Sequence, residues 1–126
     1  MSRKARCQHL LEKSVHAALS AIEIYNKPDF KYREESFSIL MVNAWELLLK
    51  AKILHQNKNK LESIYIVDPN KTRKDGTAFK KPKYKTSRSA NYLTIDVTNA
   101  IKELKLPERL EENLGLLIEI RDNAIQ

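Results

Sequence analysis

The sequence predicts an all-α fold, an antiparallel helical bundle carrying one small basic insert. Three observations predict it. The 126 residues include only two Gly and four Pro but many Leu, Ile, Ala, Glu and Lys, a composition that favours helix over sheet. Apolar residues recur every three or four positions near both ends of the chain, the period of a helix with one apolar face. Between them, residues 58–92 lose that period and concentrate positive charge. A chain of this length is expected to form one domain, 1–126, with 58–92 as an insert, burying about two thirds of its unfolded surface.

The first helix is predicted from about Arg6 to Asn26, where Leu11, Val15, Ala18, Ile22 and Tyr25 draw one apolar stripe. The run NKPDF closes it, because Pro28 cannot continue the hydrogen-bond ladder and disfavours helical backbone at Lys27. The second helix is predicted from about Tyr32 to Asn57. Its broad core face comprises Phe37, Leu40, Met41, Ala44, Trp45, Leu48, Ala51 and Leu54. Two long helices joined by a short turn pack antiparallel. The stretch SIYIVDPNKTRKDGTAFKKPKYK then changes the pattern. Ile64–Val67 is a short β-rich run, DPN and KDG are turn formers, and Thr77–Lys80 is the expected return of a small basic β-hairpin or loop. Thr94 or Asp96 can cap a short third helix, VTNAIKELK. Pro107 suits the first turn of a final helix, and Glu108, Glu111 and Glu112 complement its dipole. That helix reaches Gln126 without a Gly or Asn stop, so the domain is expected to continue further.

Net charge is +7, and residues 58–92 carry ten Lys or Arg against three acids, so the whole excess lies there. Such a segment attracts phosphate backbones without reading sequence, which makes Lys80, Lys81, Lys83 and Lys85 candidate RNA contacts. A solvated, lysine-rich loop explains the same charges. No run reaches the roughly 18–20 uncharged apolar residues of a membrane span, and Glu12 and Lys13 interrupt any signal-like start. The single Cys7 cannot form an internal disulfide and fits a reducing, cytoplasmic setting. His9, His16 and His55 show no metal-ligand spacing with Cys7 or one another, so no metal or cofactor is expected. Gly-rich phosphate loops, nucleophile elbows and zinc-finger spacings are absent from the sequence.

The last helix places Arg121 in line with Leu110, Leu114, Leu117 and Ala124, on the side that faces the core. A guanidinium there needs a carboxylate, a ligand anion or a route to the surface. On the second helix, Asn43, Glu46 and Lys50 form a polar stripe. Glu46 and Lys50 are spaced as an i,i+4 ion pair, and Glu46 is alternatively placed to reach Arg121 across the bundle.

The run KSVHAALSAIEIYNKPDFKYREESFSILMVNAWELLLKA, with the late RDNAI, resembles the HEPN superfamily of all-α domains. More narrowly, it is similar to an uncharacterised bacterial HEPN-like family that shares the YNKP and AWELLLKA patterns. The resemblance covers the first two helices well, the last in part and the basic insert hardly at all. It implies metal-independent RNA cleavage in toxin–antitoxin or antiviral-defence systems, with two protomers forming one composite cleft and with RNA, an antitoxin or another defence protein as partner. In such enzymes a 2′-hydroxyl attacks the adjacent phosphate, an Arg stabilises the developing charge and a His handles the proton. Carried onto this chain, Arg121 is the phosphate clamp, Asp122 the polar residue beside it and Glu46 an orienting acid, with Asn43 and Lys50 as further RNA or phosphate contacts.

The family's histidine position is Gln126 here. Glutamine donates and accepts hydrogen bonds but does not titrate near neutrality, so it cannot replace an imidazole. Losing that role costs on the order of 10²–10⁴ in rate, and the chain is expected to be catalytically inactive. Arg121 and position 126 also lie about 140° apart around a helix, so a joint role requires a long arginine sweep or a second protomer. Two alternatives stand beside this reading. One is a non-catalytic helical dimerisation module for RNA, a nucleotide or a partner protein; the other is a helical fragment of a larger enzyme.

Overall fold

The computed structural model describes all residues except 1–4, 70–72, 75, 78, 79, 82 and 126. Four helices follow in order: α1 (Arg6–Tyr25), α2 (Arg33–Gln56), α3 (Val97–Leu104) and α4 (Glu108–Ala124), with a 3-10 turn at Leu61–Ile64 after α2. The all-α bundle expected from the sequence is therefore present. No helix among the described residues is long and apolar enough to cross a membrane.

Helix α2 is the centre of the molecule. It packs α1 on one side and α3, α4 and the 3-10 turn on the other. Because it has neighbours on more than one side, its buried residues include Val42, Leu49 and Ile53 besides the expected Ala44, Ala51 and Leu54. Val42, Leu49, Ile53 and Leu54 meet Ile64, Val97, Ala100, Ile101 and Leu114 in one core, with Leu110, Leu117 and Ile118 of α4 packed against it. By contrast, α1 turns Ser14 and Ala21 inward. Its expected apolar stripe stays half open, with Leu11, Val15 and Ile22 between 45% and 48% exposed.

Helix ends follow local chemistry. Asp96 caps α3, its carboxylate accepting from the Asn99 N–H at 2.9 Å, which decides between the two caps offered by the sequence. Helix α2 ends with the Asn59 N–H donating to the Leu54 carbonyl at 2.7 Å, over Lys58 in left-handed backbone at φ 55°. Asn59 then serves α1, whose N-cap Ala5 has no capping side chain. Its Oδ1 accepts from the Cys7 N–H at 3.0 Å, and its carbonyl accepts from Arg6 Nη1 at 3.3 Å. At the opposite end, the Tyr32 hydroxyl donates to the Ala124 carbonyl at 3.0 Å. That bond sets the end of α4 beside the start of α2, so the two run antiparallel.

The insert pairs through isolated antiparallel bridges: Tyr65 with Thr94, Val67 with Tyr84, and Thr86 with Tyr92. The Ile64–Val67 run thus pairs with two segments, residues 83–85 and residues 93–95, and in the described residues its partners are these and not the expected return at Thr77–Lys80. Around Thr77 the backbone instead makes a tight turn, with the Arg73 N–H donating to the Thr77 carbonyl and the Gly76 N–H to the Arg73 carbonyl. Gly76 sits at φ 85°, where a side chain would be strained. Ala78 and Phe79 lie outside the described residues. The strand-like segments after this turn displace the pairing by about one short strand, a register that turn residues alone do not fix.

Candidate functional site

Two places in the fold gather the polar residues singled out by the sequence, and they do not merge. The first lies on α2. Lys50 is only 8% exposed, and its ammonium donates to Thr94 Oγ1 at 2.9 Å and to Glu46 Oε2 at 3.4 Å. The Glu46–Lys50 pair expected from i,i+4 spacing therefore forms, but partly buried rather than in open solvent. Thr94 supplies the third corner from 44 residues away and belongs to the neck of the insert. Lys50 is thus a strut between α2 and the insert, and burial removes it from the set of phosphate contacts. Asn43 is exposed on α2.

The second place is the end of α4. Arg121 lies on the core-side stripe as expected, with its side chain 29% exposed. Its Nε and Nη2 donate to the same Asp122 oxygen, at 3.1 and 2.8 Å. Charge-assisted bonds of this kind hold the fork in one orientation and leave its remaining N–H groups to other acceptors. The expected reach of Glu46 to Arg121 does not occur. The Tyr32–Ala124 bond fixes the register, so Arg121 is level with the first turns of α2. Glu46 is then roughly three turns further on, a rise on the order of 15 Å. The acids that do line the cleft at the end of α4 are Glu34 and Glu35, opposite Ile120, Asn123 and Ala124. The Glu35 Oε2 atom and the neighbouring Arg33 Nε are buried without hydrogen-bond partners. Gln126, the proposed replacement for a histidine, lies outside the described residues.

The insert holds the largest excess of exposed cations. Lys80, Lys81, Lys83 and Lys85 are all exposed, as a phosphate-attracting surface requires. Beside them is a group that charge counting passes over. Tyr65, Tyr84 and Tyr92 form a closed ring cluster, with centroids 5.2, 4.7 and 6.0 Å apart. Three of the chain's five tyrosines thus share one small insert, and their enrichment in a basic segment was the available sequence signal. Their bridging positions bring them together: Tyr65 and Tyr84 sit on neighbouring extended segments, and Tyr92 returns beside Thr86. Among the described residues, no three His, Cys, Asp or Glu side chains gather as a metal-binding group.

No curated protein and no solved structure matches the chain. One family model does, over residues 9–125, from the first turns of α1 to the end of α4. That match spans nearly every described element, and the chain belongs to the family described as a domain of unknown function, DUF3644.

Proposed function

We propose that this protein is an RNA-directed domain of the HEPN type, carrying an endoribonuclease-like phosphate clamp at Arg121 without the proton-handling group its chemistry needs. The observation that carries this reading is the seat of Arg121. It projects from the core-side stripe of α4, oriented by Asp122 and still partly open to solvent. A guanidinium held in this way suits the charge that develops on phosphate oxygens during attack by a 2′-hydroxyl. The exposed lysines of the insert add a sequence-independent attraction for the rest of the RNA. Gln126 can hydrogen-bond the leaving oxygen but cannot protonate it. In this reading the chain works in defence or toxin–antitoxin biology as a binder whose cutting step is disarmed.

The test is cleavage of single-stranded RNA in the presence of a chelator. Gln126→His is expected to raise cleavage by on the order of 10²-fold or more, and Arg121→Ala in that background to remove it. Robust chelator-resistant cleavage by the unsubstituted chain would sink the disarmed-site reading. An inert Gln126→His variant would sink the nuclease reading.

A second reading, a helical dimerisation module, is favoured by the open stripe of α1. Leu11, Val15, Leu19 and Ile22 are exposed, and Leu11 and Val15 border a groove shared with Met41, Trp45 and Leu48 of α2. Contiguous apolar surface of this kind marks an association site. Pairing through it is compatible with RNA binding at the insert on another face.

A further inference from the structure

Three tyrosine rings could simply be the small core of an insert too short to build another. Two of them fit that description. Tyr65 packs against the main core, and Tyr84 is partly buried. Tyr92 does not: it is 54% exposed, although it has both other rings as neighbours. Its contact with Tyr65 is close and only 34° from parallel, whereas Tyr84 meets it edge-on at 83°. Tyr92 is thus held from behind and from the side while over half of it faces water.

The segments that carry that ring are polar and rich in cations. The 87–91 turn closes with the Ser87 N–H donating to the Asn91 carbonyl and the Ala90 N–H to the Ser87 carbonyl, both within 3.0 Å. This turn carries exposed Arg88 and puts Asn91 immediately before Tyr92. The extended segment opposite carries Lys83 and Lys85, which alternate with Tyr84 and so project to its other side. The segment also has a fixed base. Lys50 anchors Thr94, two residues from Tyr92, and Thr94 bridges Tyr65.

We infer that Tyr92 is a stacking platform for an unpaired base of single-stranded RNA, backed by Tyr65 and Tyr84, with the insert's lysines and Arg88 following the phosphates. This rests on the RNA reading above and adds to it a site away from Arg121. An aromatic ring with one open face takes any base, because every base presents a π-face, and exposed cations elsewhere on the same small insert can meet the phosphates on either side of it. Duplex RNA hides those faces and offers the ring nothing. The platform therefore selects strandedness rather than sequence.

The test is binding of a labelled single-stranded oligouridine of about twelve nucleotides and of an RNA duplex of equal length, across a salt series. The unsubstituted protein is expected to prefer the single strand. Tyr92→Ala should weaken single-strand binding between about fivefold and a hundredfold with an unchanged salt slope. Tyr92→Phe should stay within about twofold, since the ring is kept. Replacing Lys80, Lys81, Lys83 and Lys85 with Ala should weaken binding and flatten the salt slope. Ultraviolet crosslinking of the unsubstituted protein to the same oligouridine should label the tryptic peptide 89–102, a readout independent of how any variant folds. Equal binding of strand and duplex, a Tyr92→Ala variant that binds normally, or crosslinks confined to other peptides would overturn the platform while leaving RNA binding intact. Failure of the unsubstituted protein to bind either RNA would remove the RNA reading, and the platform with it.

Discussion

A lysine ammonium with 8% of its residue exposed has lost most of its hydration, so what replaces the water decides whether it is stable there. For Lys50 the replacements are Thr94 Oγ1 and Glu46 Oε2. Removing the carboxylate alone leaves a buried charge with one neutral acceptor. Glu46→Ala is therefore expected to cost about 1–3 kcal/mol in urea unfolding. Lys50→Met keeps the volume and removes the charge, and should change stability by less than about 1.5 kcal/mol. A Lys50→Met protein that still binds RNA normally would confirm the strut over the phosphate contact. The Glu46–Lys50 spacing was legible in the sequence, but Thr94 was not, because nothing local ties residue 50 to residue 94. The Arg121 partner was hidden for the opposite reason. Sequence reasoning sought an acid across the bundle, while the nearest acid was the next residue, Asp122.

At the level of elements, all four helices and the turns before α2 and α4 were readable, since period and breakers act locally. Which face of a helix is covered is a tertiary matter. The apolar arc of α1 extends from Leu10 and Ala21 around to Val15 and Leu19, wider than one neighbour can cover. Periodicity marks the arc without choosing the edge that α2 takes. The uncovered edge leads to a prediction. By light scattering, the protein is expected to exceed its 14.7 kDa monomer mass at tens of micromolar. Val15→Lys, at a position already 48% exposed, should restore the monomer and leave helical circular dichroism unchanged. A wild type that stays monomeric under those conditions would exclude self-association through this stripe. The insert was the least legible element, because pairing across it depends on closures that neither period nor turn residues specify.

Seen whole, the molecule is a near-neutral helical body with a cationic appendage. Residues 68–92 hold eight Lys or Arg and two acids, so six of the seven net charges lie beyond the neck. The neck closes at the Tyr65–Thr94 bridge and at the Ile95 N–H, which donates to the Ile64 carbonyl at 2.9 Å. Among the described residues, the core above it draws on α2, α3, α4 and Ile64, not on the appendage. Replacing residues 68–92 with a short Gly/Ser linker is therefore expected to keep the helical signal and a cooperative melt, and to abolish salt-sensitive RNA binding. Loss of cooperative folding in that variant would show that the appendage belongs to the core. The other end of the body has a consequence in time. The cap of α1 comes from Asn59, at the far side of α2 and past a left-handed reversal at Lys58. During synthesis α1 leaves the ribosome first, yet its opening turn lacks the Asn59 acceptor for the Cys7 N–H until α2 is complete and has turned back. The order of emergence and the order of consolidation are thus inverted: the first helix made waits for the second to finish it.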